Sequence, residues 1–297
     1  MSLEAWFRET RPNFLLLTPL NYSVGLAVAY VEGSFHAGRA LLGLVGVILA
    51  HLAINVLNEY FDHRSGLDFM TRKTPFSGGS GVLPVGSLRP GHVYIFAMAC
   101  LLLGGTIGVY LSYTVGWGLL PIVLVAAFTI YFYTPLLSHW YLGELSTGLS
   151  YGSLMVVGAY FIMTGRYSLT VLPPSAIPGL LGATLLVINE FPDMEPDRKV
   201  GRRNLVMFLG LRRASWLYAM LVASPYLVVL WSISAGSMPL TMLVTFVSLP
   251  VGVRSARGAM AHYDDFDALV QTQGDNVLWI LSLTLFTSVG LLLPLLV

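Results

Sequence analysis

In "LLGLVGVILAHLAINVLNEYFDHRSGLD", residues 41–68, an uninterrupted apolar run breaks off into a knot of amides, acids and bases. With its flanks the run covers about 38–60, and crossing the hydrocarbon of a bilayer takes about 20 such residues. The knot then gathers Asn58, Asp62 and Asp68 at the end of that span. Asn58 and Asp62 are four apart, so they stand one above the other on a single helix face. Gly66 supplies a left-handed end for the helix, and Asp68 is expected to return toward the other two from a loop.

The whole chain shares the character of this run. Its 297 residues are 56% hydrophobic and 10% charged, where globular domains carry roughly 25% charged residues, and the mean hydropathy is +0.74. It reads as an all-α integral membrane protein. Apolar stretches recur near 13–31, 38–60, 91–111, 116–136, 142–163, 173–191, 213–232, 238–253 and 276–297, giving an expectation of nine transmembrane helices. They are continuous rather than alternating, which excludes a transmembrane barrel. The segment "MSLEAWFRETRPN" has two acids and no small-residue cleavage pattern, so a retained first span is expected rather than a signal peptide. The single Cys100 excludes an internal disulfide and a thiolate metal site. No basic-aromatic patch suggests nucleic acid; the partners expected are small lipophilic molecules and membrane lipid.

Charge placement sets an orientation. Of the 16 Lys and Arg, only Arg39 and Arg166 fall on one side of the expected spans; the others cluster on the opposite side. The positive-inside rule then puts the N-terminus and the loops after spans two, four, six and eight in the cytoplasm of a multi-pass cell-membrane protein, with the C-terminus outside.

A second knot, "NEFPDMEPDRKVGRRN" at 189–204, repeats the logic of the first, with Asn189, Asp193 and Asp197 matching Asn58, Asp62 and Asp68. Four spans separate the knots, an even number, so both emerge on one membrane face and are able to share a site. Pro192 and Pro196 lack backbone donors and disfavour helix in the preceding residue, so a kink or a broken helix is expected there, presenting Asp193 and Asp197 from irregular backbone.

Carboxylates gathered at the end of a bundle need a positive partner, since each costs roughly 2.5–3.5 kcal/mol deep in a membrane. Oxygen-only donors suit Mg²⁺, Mn²⁺ or Ca²⁺ rather than zinc or copper. Mg²⁺ takes one or two carboxylates and completes its shell with water and phosphate oxygens. The cations beside the knots, Arg64, Arg72 and Lys73, then Arg198, Lys199 and Arg202, fit the same picture. Acids with neighbouring Lys and Arg indicate two metal ions bridged by a diphosphate, and the diphosphate with an apolar tail is an isoprenyl diphosphate. Tyr131 and Tyr133, two apart and so on different faces, are candidates to stabilise an allylic cation through the ring quadrupole. They offer this from late in span four.

The two knots resemble the paired Asp-rich motifs of the UbiA superfamily of intramembrane aromatic prenyltransferases. "RPN" at 11–13, "YTP" at 133–135 and "LGE" at 142–144 are similar to that family's weaker signatures, so the likeness runs along nearly the whole chain. The resemblance implies nine helices around a central cavity and Mg²⁺ dependence. It also implies prenyl transfer from a diphosphate to a lipophilic acceptor. The Asp-x5-Asp spacing at 62–68, "DMEPDR" at 193–198 and "GGSGVLPVGSL" at 78–88 look most like the naphthoate, menaquinone-type branch; the ether-lipid branch is the alternative acceptor class. Residues 1–297 are expected to form one domain of two pseudo-repeats, 1–140 and 141–257, plus a ninth helix.

Other features weigh less. An ion-coupled carrier also uses polar residues at broken helices, but many carriers invert their repeats and bind at mid-membrane, whereas these knots are parallel and lie at span ends. His51 is an intramembrane ionisable group and equally a partner for a neighbouring helix. "GGTIG" at 104–108 is expected to be a helix-packing face, and "HYDDFDAL" at 262–269 a solvated loop.

Overall fold

The computed structural model describes residues 2–296, and among these the chain is helical throughout, with no strand. In chain order the helices are α1 Leu3–Glu9, α2 Pro12–Leu15, α3 Leu17–Val31, α4 Ala37–Ser65, α5 Pro90–Val115, α6 Leu120–Phe132, α7 Gly143–Ser146, α8 Leu154–Thr164, α9 Leu172–Lys199, α10 Leu205–Leu209, α11 Leu211–Ser234, α12 Leu249–Ala261 and α13 Phe266–Leu292. Seven segments among the described residues are long and apolar enough to cross a membrane: Pro12–Val31, Ala37–Ser65, Pro90–Val115, Gly143–Thr164, Leu169–Lys199, Leu211–Ser234 and Phe266–Leu295.

The other two expected spans take different forms, so length and apolarity do not reach the count of nine. Trp117–Phe132 is helical but shorter. The stretch expected at 238–253 is a 3₁₀ segment, Leu240–Ser248, that runs on into α12, and Arg254 and Arg257 interrupt the apolar sequence there.

Local chemistry sets the ends that matter for the site. α4 stops at Ser65 because Gly66 turns left-handed, with φ 83°, and Asp68 follows on the 3₁₀ turn Leu67–Phe69, as the spacing predicts. The expected break at Pro192 and Pro196 does not occur: α9 runs unbroken through both to Lys199. Each proline removes one helix bond, from the carbonyls of residues 188 and 192, and its fixed φ of about −65° is itself helical. Four residues apart, both losses fall on one side of the helix, while Ile188, Glu190, Phe191 and Asp197 hold it by burial.

Close packing also depends on small residues. Residues 147–153 form a π-helical turn, and a Cβ at Gly152 would run into the Pro178 carbonyl and the Gly179 backbone of α9. "GGTIG" behaves as expected: a Cβ at Gly104 would meet the Gly46 carbonyl at 3.1 Å and one at Gly108 would meet Val123 at 2.8 Å.

Two apolar clusters build the interior. One joins α3, α8, α9 and α11 to α13; the other joins α1, α4, α5 and the 82–88 loop. Between them lies a cavity of about 380 Å³, walled by residues drawn from 11 to 204. It is apolar along α4, α5, α6 and α8, from Gly43, Leu111 and Ile162 at one end, and polar where α4 and α9 finish.

Candidate active site

The polar end of the cavity is where the two sequence knots meet. Asn58, Asp62, Asp68, Asn189, Asp193 and Asp197 all line it, and Asp62, Asp68 and Asp197 are buried. Because α9 is continuous, Asp193 and Asp197 stand one turn apart on one face, as Asn58 and Asp62 do on α4. Arg202, reached through the left-handed Gly201, joins the two helices: it donates to Asp62 Oδ1 and, at 3.2 Å, to Asp197 Oδ1. Asn58 donates to Thr134 Oγ1 at 3.0 Å, and Asn189 Oδ1 accepts from Gln273 of α13 at 3.1 Å.

Electrostatics are tense here. Burial pushes the Asp68 carboxyl up to about 8, and the Glu59 and Asp62 carboxylates add to it. Burial works against the Arg202 charge, but Asp62 and Asp197 outweigh it and hold the guanidinium above its ordinary pKa. Asp68 Oδ2 and Asp193 Oδ1 are buried without a hydrogen-bond partner, which is costly unless something else binds them. These orphaned oxygens, with no sulfur or imidazole among them, fit a hard cation such as Mg²⁺. Among the described residues no three acidic, His or Cys side chains form a ready-made cage.

The expected cations separate. Only Arg202 of the six lines the cavity. Arg64 stacks over Tyr60, Arg72 pairs with Asp267 at 2.7 Å and lies over Phe266, and Arg198 pairs with Glu195 at 3.2 Å. Lys73 and Lys199 are exposed. The structure thus leaves these five at the solvated rim, where charges keep their hydration. "HYDDFDAL" supplies Asp267 to Arg72 and Asp265 as the N-cap of α13. The tyrosines also part: Tyr133 lines the cavity, whereas Tyr131 is turned to Tyr94 and packs on Phe61.

Other groups stand at this end, among them Arg203, which the sequence already places with Arg198, Lys199 and Arg202 among the bases that follow the second knot. Arg11 and Arg203 line the cavity, as does Glu190. Arg11 belongs to "RPN", so that short signature was the one available pointer. Glu144, of "LGE", accepts from the Leu205 amide at 2.5 Å and so fixes the start of α10, just after the Arg202 loop. Glu59, the unremarked acid between Asn58 and Asp62, accepts from the Ser80 amide at 2.9 and 3.0 Å and lies 3.9 Å from Arg11 Nε. Ser80 Oγ is 2.8 Å from Glu59 and 3.0 Å from Glu9. Burial and the neighbouring Glu59 push the Glu9 carboxyl up to about 8. Gly79, with φ 75°, lies in this strap, where a Cβ would sit 3.0 Å from Asp68 Oδ1.

The fold and site define a polytopic helical membrane protein with an internal apolar cavity that ends in paired acids bridged by an arginine. The sequence pattern of the UbiA prenyltransferase family matches residues 20–269, and the chain belongs to that family. It is a membrane prenyltransferase. It is 29% identical over 254 residues to a 1,4-dihydroxy-2-naphthoate octaprenyltransferase of Bacillus subtilis, covering 84% of this chain and 80% of that one. It is 26% identical over 266 residues to a 2-carboxy-1,4-naphthoquinone phytyltransferase of Synechocystis, covering 87% and 83%. The fold is similar, with TM-score 0.62 and 17% identity, to a UbiA homolog from Archaeoglobus fulgidus bound to GPP and Mg²⁺, covering 97% of this chain and 99% of that one.

Proposed function

We propose that this prenyltransferase moves an isoprenyl group from its diphosphate to a hydroxylated aromatic acceptor of the naphthoate class, a step of menaquinone-type quinone synthesis, and releases pyrophosphate. The observation that carries the reading is the meeting of both acidic knots at one end of a long apolar cavity, which suits an anionic head on a hydrocarbon tail. The names of the two sequence relatives favour the naphthoate acceptor.

In this reading Asp62, Asp68, Asp193 and Asp197, with Asn58 and Asn189 beside them, hold two Mg²⁺ ions. The metal, when bound, neutralises the diphosphate and stabilises the charge that grows on it as the allylic C–O bond breaks. Arg202 exchanges its carboxylate partners for phosphate oxygens, and Arg11 and Arg203 reach the same group from the wall. The apolar helices exclude water from the allylic cation, and Tyr133 presents its ring to it. The acceptor ring carbon then bonds to the allylic carbon, and the proton on that ring carbon leaves to the released pyrophosphate or to a site carboxylate. Basic residues cluster around this end, so the site opens to the cytoplasm.

A labelled prenyl-transfer assay on the purified protein tests the reading, with a dihydroxynaphthoate, a hydroxybenzoate and a glycerol-phosphate lipid offered in parallel, with and without Mg²⁺. Product with the naphthoate alone, lost on chelation, is expected; preference for the glycerol-phosphate lipid would overturn the acceptor class.

A further inference from the structure

Halfway down the cavity wall the lining turns polar again, well away from the acids. His51 of α4 is seven residues before Asn58, about 10 Å along the helix axis. It is 6% exposed and lines the cavity. Its Nδ1 is 2.5 Å from Thr18 Oγ1 of α3, and its ring meets the edge of Tyr151 with centroids 4.9 Å apart. The Tyr151 hydroxyl, on the cavity wall, has the Thr18 side chain as its one hydrogen-bond neighbour, and the Ser150 hydroxyl, also on a lining residue, is buried with no hydrogen-bond partner. So is the Tyr22 hydroxyl, on a residue only 2% exposed that lines the cavity beside Gly43.

Ser150 and Tyr151 sit on the π-helical turn 147–153. Such turns are uncommon, cost helix bonds and recur at functional sites. Here the turn adds a residue to the helix register and brings both side chains to the cavity wall. Buried hydroxyls without a partner are costly unless something in the cavity binds them.

A prenyl tail offers these groups nothing, being hydrocarbon, and Asp62, the acid on the same helix, is about three helical turns from His51. The oxygen that satisfies them belongs to another molecule. Resting on the aromatic acceptor proposed above, we infer that His51, Tyr151 and Ser150 form the polar end of the acceptor pocket and bind a ring oxygen on the edge remote from the carbon that is alkylated. Thr18 holds His51 by Nδ1 and leaves Nε2 as the nitrogen offered to that oxygen. The acceptor lies between this patch and the acids, so the patch sets which hydroxylated rings are taken and in which orientation.

The test uses the full-length enzyme with Tyr151→Phe and His51→Gln, a dihydroxynaphthoate, and the same ring with the remote hydroxyl O-methylated. Each variant is expected to raise KM for the acceptor about tenfold, as for one lost hydrogen bond. KM for prenyl diphosphate and its Mg²⁺-dependent binding should stay within about twofold of wild type. Wild type should discriminate against the ether, and the variants should lose that discrimination. Tyr151→Phe removes one oxygen and almost no volume, so its diphosphate binding also reports an intact fold. Unchanged acceptor KM and an unchanged hydroxyl-to-ether ratio in Tyr151→Phe would overturn the subsite while leaving the acceptor class standing. Wild-type enzyme that binds prenyl diphosphate yet alkylates no hydroxylated aromatic would overturn that class and this subsite with it.

Discussion

Asp68 shows how far the site is held from electrostatic rest. Its carboxyl titrates near 4 in an unfolded chain and is pushed up to about 8 in the folded protein without metal. Below about pH 4 both states are protonated and nothing is lost. Between 4 and 8 the unfolded chain releases a proton that the folded chain keeps, so stability falls as pH rises through that window. Metal-free protein in detergent is therefore predicted to show a declining Tm from pH 5 to 8, Mg²⁺ to restore it at pH 8, and Asp68→Asn to flatten the metal-free slope; scanning fluorimetry reads all three. Asp62→Ala and Asp193→Ala are predicted to lower kcat by at least about 100-fold with the fold retained; near wild-type turnover at saturating Mg²⁺ in either would remove that residue from the site. Arg202→Lys keeps the charge but not the planar fork that spans Asp62 and Asp197, so KM for prenyl diphosphate should rise about tenfold, roughly one charged hydrogen bond. Arg64 and Arg198, paired at the rim, should change it little when replaced by Gln.

At the scale of elements, α4 was readable from sequence and α9 was not. In α4 the apolar run, the i, i+4 spacing and the terminal glycine all point one way, and the helix ends as they indicate. In α9 the local proline rule opposes the packing of the whole segment, and packing prevails because both missing bonds fall on one side of a buried helix. The π-helical turn left no mark beyond its glycines. Gly152 exists for contact with α9, so Gly152→Val is predicted to shift backbone at the α9 interface and destabilise the protein by about 1–3 kcal/mol, measurable as a lowered Tm. Pro192→Ala, which restores a helix donor, should be tolerated. A large loss of stability there would show that the proline itself shapes the site.

For the molecule as a whole, the sequence disclosed which segments meet but not which cations serve them. Arg72 is bound to Asp267, 195 residues away, and no local pattern carries that pairing. The two knots were legible because each repeats the other's chemistry, and the structure brings both to one end of the cavity. Orientation is open to direct measurement. Cysteines replacing exposed Lys73 and Arg198, in a Cys100→Ser background, are predicted to resist an impermeant thiol reagent in intact cells, while one replacing exposed Arg166 on the opposite side reacts. Labelling of the first two without permeabilisation would invert the topology.

The guanidinium shared by Asp62 and Asp197 means that the resting protein carries its own counterion. A metal arriving alone must displace that occupant, and a diphosphate arriving alone must face bare carboxylates. If the acids hold the metal as proposed, arrival together would remove both obstacles: the phosphate would take over Arg202 and so free the acids. Binding is then predicted to be heterotropically cooperative, and by reciprocity the factor by which pyrophosphate tightens Mg²⁺ would equal the factor by which Mg²⁺ tightens pyrophosphate. Titration calorimetry in both orders should return one coupling constant, and in Arg202→Gln that constant should shrink because the internal competitor is gone.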